Sequence, residues 1–93
     1  MIFDIFDPDA RAEFLDAVQY YEKCQEGLGR RFRIAIETAI QYVSEAPFLY
    51  RILNAPFRRY LLPIFPYSII YSIEPDHIHI IAVATINVNQ DIG

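Results

Sequence analysis

The chain has 93 residues, of which eight are basic and twelve acidic, giving a net charge of −4, and 54% of its residues are hydrophobic. This length predicts one domain spanning residues 1–93, and the apolar content excludes a disordered tail as the main feature of the chain. The acidic balance disfavours the class of proteins that bind nucleic acid by neutralising its phosphates.

Cysteine content and apolar segments bear on the cellular location. Cys24 is the only cysteine, which excludes a disulfide framework and a zinc cluster and indicates a reducing compartment. The N-terminal residues MIFDIFDPDA lack the basic region and apolar run of a signal peptide. No segment reaches the roughly 18 apolar residues that a membrane span needs. We therefore expect a cytoplasmic protein that does not associate with membranes.

The first part of the chain predicts a short strand followed by a helix. Ile2–Phe6 is an apolar run with the length of a short strand. Asp7 is suited to cap a helix with Pro8 at its first position, because the missing N–H of proline costs nothing there. We expect this first helix to run from about residue 8 to residue 25.

A second helix is predicted after a glycine-containing break at residues 26–29. Gly27 is suited to the left-handed conformation that often ends a helix. The second helix is expected from about residue 29 to residue 45, and Pro47 ends it shortly afterwards. Its apolar stripe consists of Phe32, Ile36, Ala39, Ile40 and Val43. Because the link between the helices is short, they should form an antiparallel hairpin.

The stretch Phe57–Ala84 predicts successive antiparallel strands. Apolar residues alternate with a period of two on either side of a turn centred on Pro75 and Asp76. The predicted register places these residues opposite one another: Ile73 and Ile78, Tyr71 and Ile80, Ile69 and Ala82, and Tyr67 and Ala84. The other face of the hairpin is expected to be wetter and available to a partner. It carries Ser68, Ile70, Ser72 and Glu74.

The remaining segments complete the predicted fold. Pro47–Pro56 is expected to be a loop that packs back on the domain. Phe57–Leu62 is expected to be a strand at an edge or at a bulge, because the prolines at 63 and 66 cannot donate to a ladder. The sequence thus predicts an α+β fold in which a short N-terminal strand precedes a two-helix antiparallel hairpin. The hairpin packs on an antiparallel sheet of three to four strands.

Basic residues are unevenly distributed, since no lysine or arginine follows position 59. Any surface that binds a phosphate or an anionic target must therefore use Arg30–Arg33, Arg51 or the Arg58-Arg59 pair. Arg58 and Arg59 are adjacent in a strand, so they point to opposite faces of the sheet. We predict Arg51, Arg58 and Arg59 as target- or phosphate-binding residues. The alternative for the adjacent pair is a structural role, such as pairing with helix carboxylates.

Motifs for metals and cofactors are missing from the sequence. His77 and His79 lie two apart on a strand, but no further histidine or cysteine is available to complete a site. We interpret them as solvated residues near a turn. The sequence contains no phosphate-binding loop, dinucleotide fingerprint or hydrolase elbow, so we expect neither a metal nor a cofactor.

Four segments of the chain, in their order and spacing, resemble one protein family. They are DPDARAEFLDAVQYYE in the first helix, GLGRRF before the second, and FRRYLLPIFPYSIIYSIE followed by HIHIIAVA in the strands. Together they resemble the RelE/ParE superfamily of bacterial toxins from toxin–antitoxin modules, in particular its plasmid-stabilisation branch. The resemblance covers Asp7 to Ala84 and implies a helical hairpin on an antiparallel sheet.

The resemblance also implies a function and partners. It implies the toxin subunit of a type II toxin–antitoxin module, which is neutralised by a cognate antitoxin and inhibits growth by binding a target such as DNA gyrase. One alternative is a ribosome-dependent mRNA endoribonuclease, whose partners would be the ribosome and its mRNA. The other is a degenerate, non-toxic member retained as a binding module. A homodimer or a toxin–antitoxin heterotetramer is the expected assembly.

The end of the last strand bears on whether the chain is an enzyme. Relatives in this branch continue that strand with a histidine and then an arginine, and here Thr85 and Val88 occupy those places. Acid–base cleavage of RNA needs proton-transfer and phosphate-binding groups within hydrogen-bond reach of the substrate. We therefore favour a protein without nuclease activity. If the chain were a nuclease, the resemblance would point to Arg58, Arg59 and Tyr67 as its catalytic residues, although Tyr67 is also suited to core packing.

Overall fold

The computed structural model describes residues 3–86, which form two helices and a five-stranded sheet. The strand order is β1-β5-β4-β3-β2. The edge strand β1 runs parallel to β5, and the other neighbouring strands are antiparallel. The elements in chain order are β1 (Phe3–Phe6), α1 (Pro8–Cys24), α2 (Leu28–Glu45), β2 (Arg51–Asn54), β3 (Phe57–Leu61), β4 (Tyr67–Ile73) and β5 (His77–Thr85).

The start of α1 is fixed to the sheet. The Asp7 carboxylate accepts a hydrogen bond from the Asp9 backbone N–H at 3.0 Å, and Pro8 occupies the first turn. The Asp7 backbone N–H donates to the Ile80 carbonyl at 2.8 Å, which continues the β1–β5 ladder into the helix cap. The predicted N-cap is therefore confirmed, and the helix begins where the first strand ends.

The two helices approach each other closely at Gly29. A Cβ atom there would lie 2.5 Å from the Val18 carbonyl oxygen. The Glu22 carboxylate accepts hydrogen bonds from the backbone N–H groups of Gly27 and Gly29 at 2.9 and 3.0 Å. Gly27 has a φ of +85°, so it adopts the left-handed conformation that the sequence predicted. The predicted helical hairpin thus depends on two glycines with different functions.

The register between β4 and β5 differs from the prediction in its second half. Ile73 pairs with Ile78 and Tyr71 with Ile80, as predicted. Beyond this point a β-bulge inserts Ile81 into β5, so that Ile69 pairs with Val83 and Tyr67 with Thr85. The predicted pairs with Ala82 and Ala84 are therefore wrong. Because a shift of one residue exchanges the two faces of a strand, Val83 takes the core position and is 3% exposed.

The sheet is larger than the predicted three to four strands. The predicted loop Pro47–Pro56 contains strand β2, all of whose residues are exposed. An exposed strand has no alternation of buried and exposed residues, so its sequence gives no period-two signal. Strand β3 pairs with β4 on one side and β2 on the other, so it is not an edge strand. Its pairing with β2 has a bulge or irregularity between Ile52 and Asn54, which agrees with the predicted alternative of a bulged position. Its prolines follow the end of the strand, where no ladder bond is lost.

The core lies between the helices and one face of the sheet. All five residues of the predicted α2 stripe are buried. Tyr71 and Phe32 are the largest fully buried side chains. The other buried apolar residues are Ala10, Ala17, Leu62, Ile69, Ile78, Ile80 and Val83. Neither helix of the described residues is both long and apolar enough to cross a bilayer.

We predict that Gly29→Ala destabilises the protein more than Gly27→Ala does. A methyl group at position 29 must displace backbone, which costs about 1–3 kcal/mol or more, whereas one at position 27 meets no atom within 4 Å. At Gly27 only the left-handed backbone is penalised, by about 1–2 kcal/mol. Urea denaturation of the two variants measures the difference. Equal stabilities, or a Gly29→Ala variant as stable as the original, would contradict the close helix contact.

Candidate functional site

The two arginines of the predicted Arg58-Arg59 pair lie on opposite faces of the sheet. Arg58 pairs with Tyr71, which is buried in the core, and Arg59 pairs with Ile70 on the opposite face. We call the face that points away from the core the outer face. Arg51 is directly opposite Arg59 and shares this face. The structure therefore brings Arg51 and Arg59 together and separates both from Arg58.

Arg58 holds the segment that connects α2 to β2. Its guanidinium Nη1 donates to the Tyr50 carbonyl at 2.7 Å and to the Phe48 carbonyl at 3.2 Å. The guanidinium carbon also lies 5.3 Å from the centre of the Phe48 ring, in the range of a cation–π contact. These contacts favour a structural role for Arg58, although its partners are backbone carbonyls rather than the helix carboxylates considered from the sequence.

Tyr71 fixes the same segment from inside the core. Its hydroxyl donates to the Pro47 carbonyl at 2.7 Å. Burial raises the pKa of Tyr71 to about 12, although the nearby Arg58 charge acts in the opposite direction. Arg58 and Tyr71 are cross-strand neighbours, so together they anchor the Pro47–Tyr50 segment to the sheet. The sequence did not identify this function of Tyr71, because its partner is 24 residues away.

Arg51 and Arg59 form a pair of like charges on the outer face. Among the described residues, the ion pairs within 4 Å join His77 to Asp76 and His79 to Asp7, and none includes either arginine. Like charges directly opposite each other on two strands destabilise a sheet. An anionic group bound between them would relieve this repulsion and accept their hydrogen bonds. The pair is therefore the candidate site for an anionic target.

Other parts of the outer face are less polar than predicted. Ser68 and Ser72 are 4% and 3% exposed, so the prediction of a wetter face is wrong for these two residues. Ser72 donates a hydrogen bond to the Glu74 carboxylate at 2.8 Å. Leu61, which pairs with Ser68, is 50% exposed on this face. The outer face thus combines the arginine pair with apolar surface, as protein-binding surfaces do.

The two histidines are paired with carboxylates near the turn and the helix cap. His77 Nδ1 lies 2.8 Å from Asp76 Oδ1, and this contact holds the pKa of Asp76 below its usual range. His79 Nε2 lies 3.6 Å from Asp7 Oδ2. Within residues 3–86, no three histidine, cysteine or acidic side chains are arranged to hold a metal ion.

Tyr67 lies on the core face, as the sequence predicted. Its ring packs against Phe32, with centroids 4.9 Å apart, and against Tyr21 at 6.1 Å. Burial raises the pKa of Tyr67. The same residue lines one end of a surface groove between α1 and β5, so it contributes both to packing and to this groove.

The groove between α1 and β5, hereafter the α1–β5 groove, has a volume of about 450 Å³. It is lined by Glu13, Asp16, Ala17, Tyr20, Tyr67, Val83, Ala84 and Thr85. The Glu13 carboxylate accepts a hydrogen bond from the Val83 backbone N–H at 3.0 Å. No local sequence pattern indicates this contact, because 70 residues separate its partners. Thr85, at the position where the resemblance implies a histidine, lines the groove, and Val88 lies outside the described residues.

A model of a known protein family matches most of the chain. The family model described as "ParE toxin of type II toxin-antitoxin system, parDE" matches residues 5–86, most of the chain. The chain belongs to the ParE toxin family. This membership confirms the resemblance that the sequence motifs indicated.

A solved structure supports the ParE fold independently. The structure titled "Chromosomal ParDE TA system from P. aeruginosa" superposes with a TM-score of 0.79 at 13% sequence identity. The match covers 94% of this chain and 98% of that one. At this identity the likeness shows a shared fold and carries no residue function. No curated protein matches the sequence.

We predict that Arg58→Ala destabilises the protein, whereas Arg59→Ala leaves its stability nearly unchanged. Arg58→Ala removes hydrogen bonds from a charged group to two carbonyls, and such bonds contribute about 1.5–3 kcal/mol. Arg59→Ala should change the free energy of unfolding by less than about 0.5 kcal/mol. Chemical denaturation compares the two. A larger loss from Arg59→Ala would contradict the opposite placement of the pair.

Stability should fall as the pH rises through the raised pKa of Tyr71. An unfolded tyrosine ionises near a pKa of about 10, whereas folding raises the pKa of Tyr71 to about 12. The folded state thus retains a proton that the unfolded state loses, so this stabilisation is complete below about pH 10 and is lost by about pH 12. In the Tyr71→Phe variant, the free energy of unfolding should therefore fall less steeply between pH 10 and pH 12.

Denaturation curves of the original protein and of the Tyr71→Phe variant, recorded between pH 8 and 12, measure this difference in pH dependence. At pH 8, Tyr71→Phe should cost about 1–3 kcal/mol, because the buried Pro47 carbonyl loses its donor. Some decline remains in the variant, since burial also raises the pKa values of Tyr21, Tyr60 and Tyr67. Parallel curves for the two proteins would show that Tyr71 is not the residue responsible.

Proposed function

We propose that this protein is the toxin subunit of a type II toxin–antitoxin module, that a cognate antitoxin neutralises it, and that it acts by binding a target such as DNA gyrase. The observation that carries this proposal is the match of the ParE toxin family model to residues 5–86. The solved relative, whose title names a ParDE toxin–antitoxin system, supports the pairing with an antitoxin.

The arrangement of the arginines supports action by binding. We assign target binding to Arg51 and Arg59, whose charges face each other on the outer face. We assign Arg58 to holding the Pro47–Tyr50 segment, since its donors already bind two carbonyls. Cleavage of RNA would need a general acid or base near the scissile phosphate. Thr85, a residue that does not titrate, occupies the position where the resemblance implies a histidine.

Exposed apolar side chains support a protein partner. A soluble monomer rarely leaves large contiguous apolar patches in water, and such patches often mark interaction sites. Phe48 and Leu49 are 70% and 73% exposed at the anchored Pro47–Tyr50 segment. Phe48 also lines a cleft of about 290 Å³ together with Ile52, Ala55, Pro56, Arg58 and Ile73. The antitoxin is the proposed partner for part of this surface.

The proposal is tested by inducing the protein alone and together with the product of the adjacent reading frame. Growth should stop in the first case and continue in the second, and the two proteins should purify as a complex. A DNA-damage response with continuing translation supports the gyrase target. An immediate block of translation with cleaved messages would overturn it in favour of an endoribonuclease. Normal growth on induction alone would support the non-toxic alternative.

We predict that Arg51→Ala combined with Arg59→Ala relieves growth inhibition. Loss of a charge-assisted hydrogen bond costs about 1.5–3 kcal/mol, which lowers the affinity for an anionic target by about tenfold or more. Plating efficiency on inducing medium measures the effect. Arg33→Ala is a control, because Arg33 is exposed on α2, and the helices pack on the core face of the sheet, opposite to the face that carries the pair. Equal toxicity of all variants, at equal protein levels, would contradict target binding by the pair.

A further inference from the structure

Strand β2 forms the edge of the sheet opposite to β1, and one of its two sides is open. Within residues 3–86 it pairs with β3 and with no other strand. No backbone hydrogen bond joins its other side to a described residue. Lysine and proline, which commonly protect such edges, are missing from its sequence Arg-Ile-Leu-Asn. The open side therefore presents unpaired N–H and C=O groups to which another extended segment can add.

The two faces of β2 differ in their chemistry. Arg51 lies opposite Arg59 on the outer face. The next residue, Ile52, lies opposite Arg58 and therefore belongs to the other face. Ile52 is 53% exposed there and lines the cleft of about 290 Å³. A strand added to β2 would thus meet a positive charge on one face and an apolar cleft on the other.

The charges around this edge favour an acidic partner. Among the described residues, Arg51 and Arg59 have no carboxylate within 4 Å. Strand β2 contains no acidic residue, and the described lining of the cleft includes Arg58 and no carboxylate. A carboxylate beside Arg51 would accept charge-assisted hydrogen bonds and add an opposite charge to two like charges.

Two other occupants fit this edge less well. A second copy that paired through its own β2 would bring further arginines and no carboxylate to the contact. The phosphates of a nucleic acid would bind the arginines, but they would leave the backbone edge unpaired and Ile52 in water. An extended protein segment with a carboxylate matches the edge, the charge and the cleft together.

We propose that the target protein contributes an extended segment in which an aspartate or glutamate lies between two apolar residues, and that this segment adds to β2 as a further strand. Its carboxylate binds Arg51, and Arg59, one strand further on, adds to the positive charge there. The apolar neighbours point to the opposite face, where one of them enters the cleft beside Ile52. The inference rests on the proposed function, since it assumes a protein target, and it specifies the chemistry of the segment that is bound.

Binding to purified DNA gyrase, measured by biolayer interferometry, tests the two faces separately. Arg51→Gln should weaken binding by about tenfold or more and reduce its dependence on salt. Ile52→Thr retains a β-branched side chain but places a hydroxyl at the cleft, and it should weaken binding by about fivefold. The matched control is Ile5→Thr on the opposite edge strand, where the isoleucine is 46% exposed. It should change binding by less than about twofold.

Leu53→Pro tests the backbone edge. Leu53 has no partner on β3, so a proline at this position breaks no cross-strand pair, whereas its ring obstructs an added strand. We expect binding to gyrase to weaken by about tenfold or more. The matched control Leu53→Val retains the N–H and should bind within about twofold of the original protein. Thermal melting shows whether each variant is folded.

Amide hydrogen exchange of the unsubstituted protein tests the same edge without any substitution. The β2 amides that do not bond to β3 should exchange rapidly in the free protein and at least about tenfold more slowly in the gyrase complex. Slow exchange only at high concentration of the free protein would mean that a second copy covers the edge. Slow exchange with duplex DNA alone would mean that a nucleic acid covers it. Either result, or unchanged exchange with gyrase, would overturn the proposal.

The outcomes separate this inference from the function on which it rests. If the unsubstituted protein does not bind gyrase, the proposed target is wrong and the segment assigned to it is wrong as well. If it binds, and Ile52→Thr and Leu53→Pro bind as tightly as the original protein, the target stands and the edge inference is wrong. A loss of binding confined to Arg51→Gln would likewise show that the arginine acts without an added strand.

Discussion

The β-bulge at Ile81 is the constraint on which the sheet and its surfaces depend. It adds one residue to β5 opposite β4, so the faces of β5 are exchanged beyond it. Val83 consequently enters the core beside Ile69, where both are buried. The same shift turns the Val83 N–H towards Glu13 and away from β4. One inserted residue therefore completes the core and also turns main-chain groups of β5 towards α1.

Local patterns predicted the helices well and the sheet only in part. The Asp7-Pro8 cap, the stripe of α2 and the turn between β4 and β5 each follow from neighbouring residues, and each is present. A bulge has no comparable local pattern here, because Ile80 and Ile81 are both apolar and either fits the core. Strand β2 was missed because none of its side chains is buried.

For the candidate site, too, local sequence patterns predicted some features, whereas contacts between residues distant in sequence were not predicted. The alternation of a strand correctly predicted that Arg58 and Arg59 would separate. It did not predict which of them faces outward or that Arg51 would lie opposite Arg59, because the strand containing Arg51 was not recognised. Glu13 was not considered at all, since its partner Val83 is close only in the folded chain. Contacts between distant residues thus account for most of the missed site.

These surfaces favour a toxin that acts by binding. The outer face offers paired positive charges and apolar surface, and strand β2 beside them offers an open sheet edge. The most direct measurement adds the purified protein to DNA gyrase in a supercoiling assay and, in parallel, to a reconstituted translation system. The account predicts inhibited supercoiling with translation unchanged. Cleaved mRNA and arrested translation with normal supercoiling would contradict it.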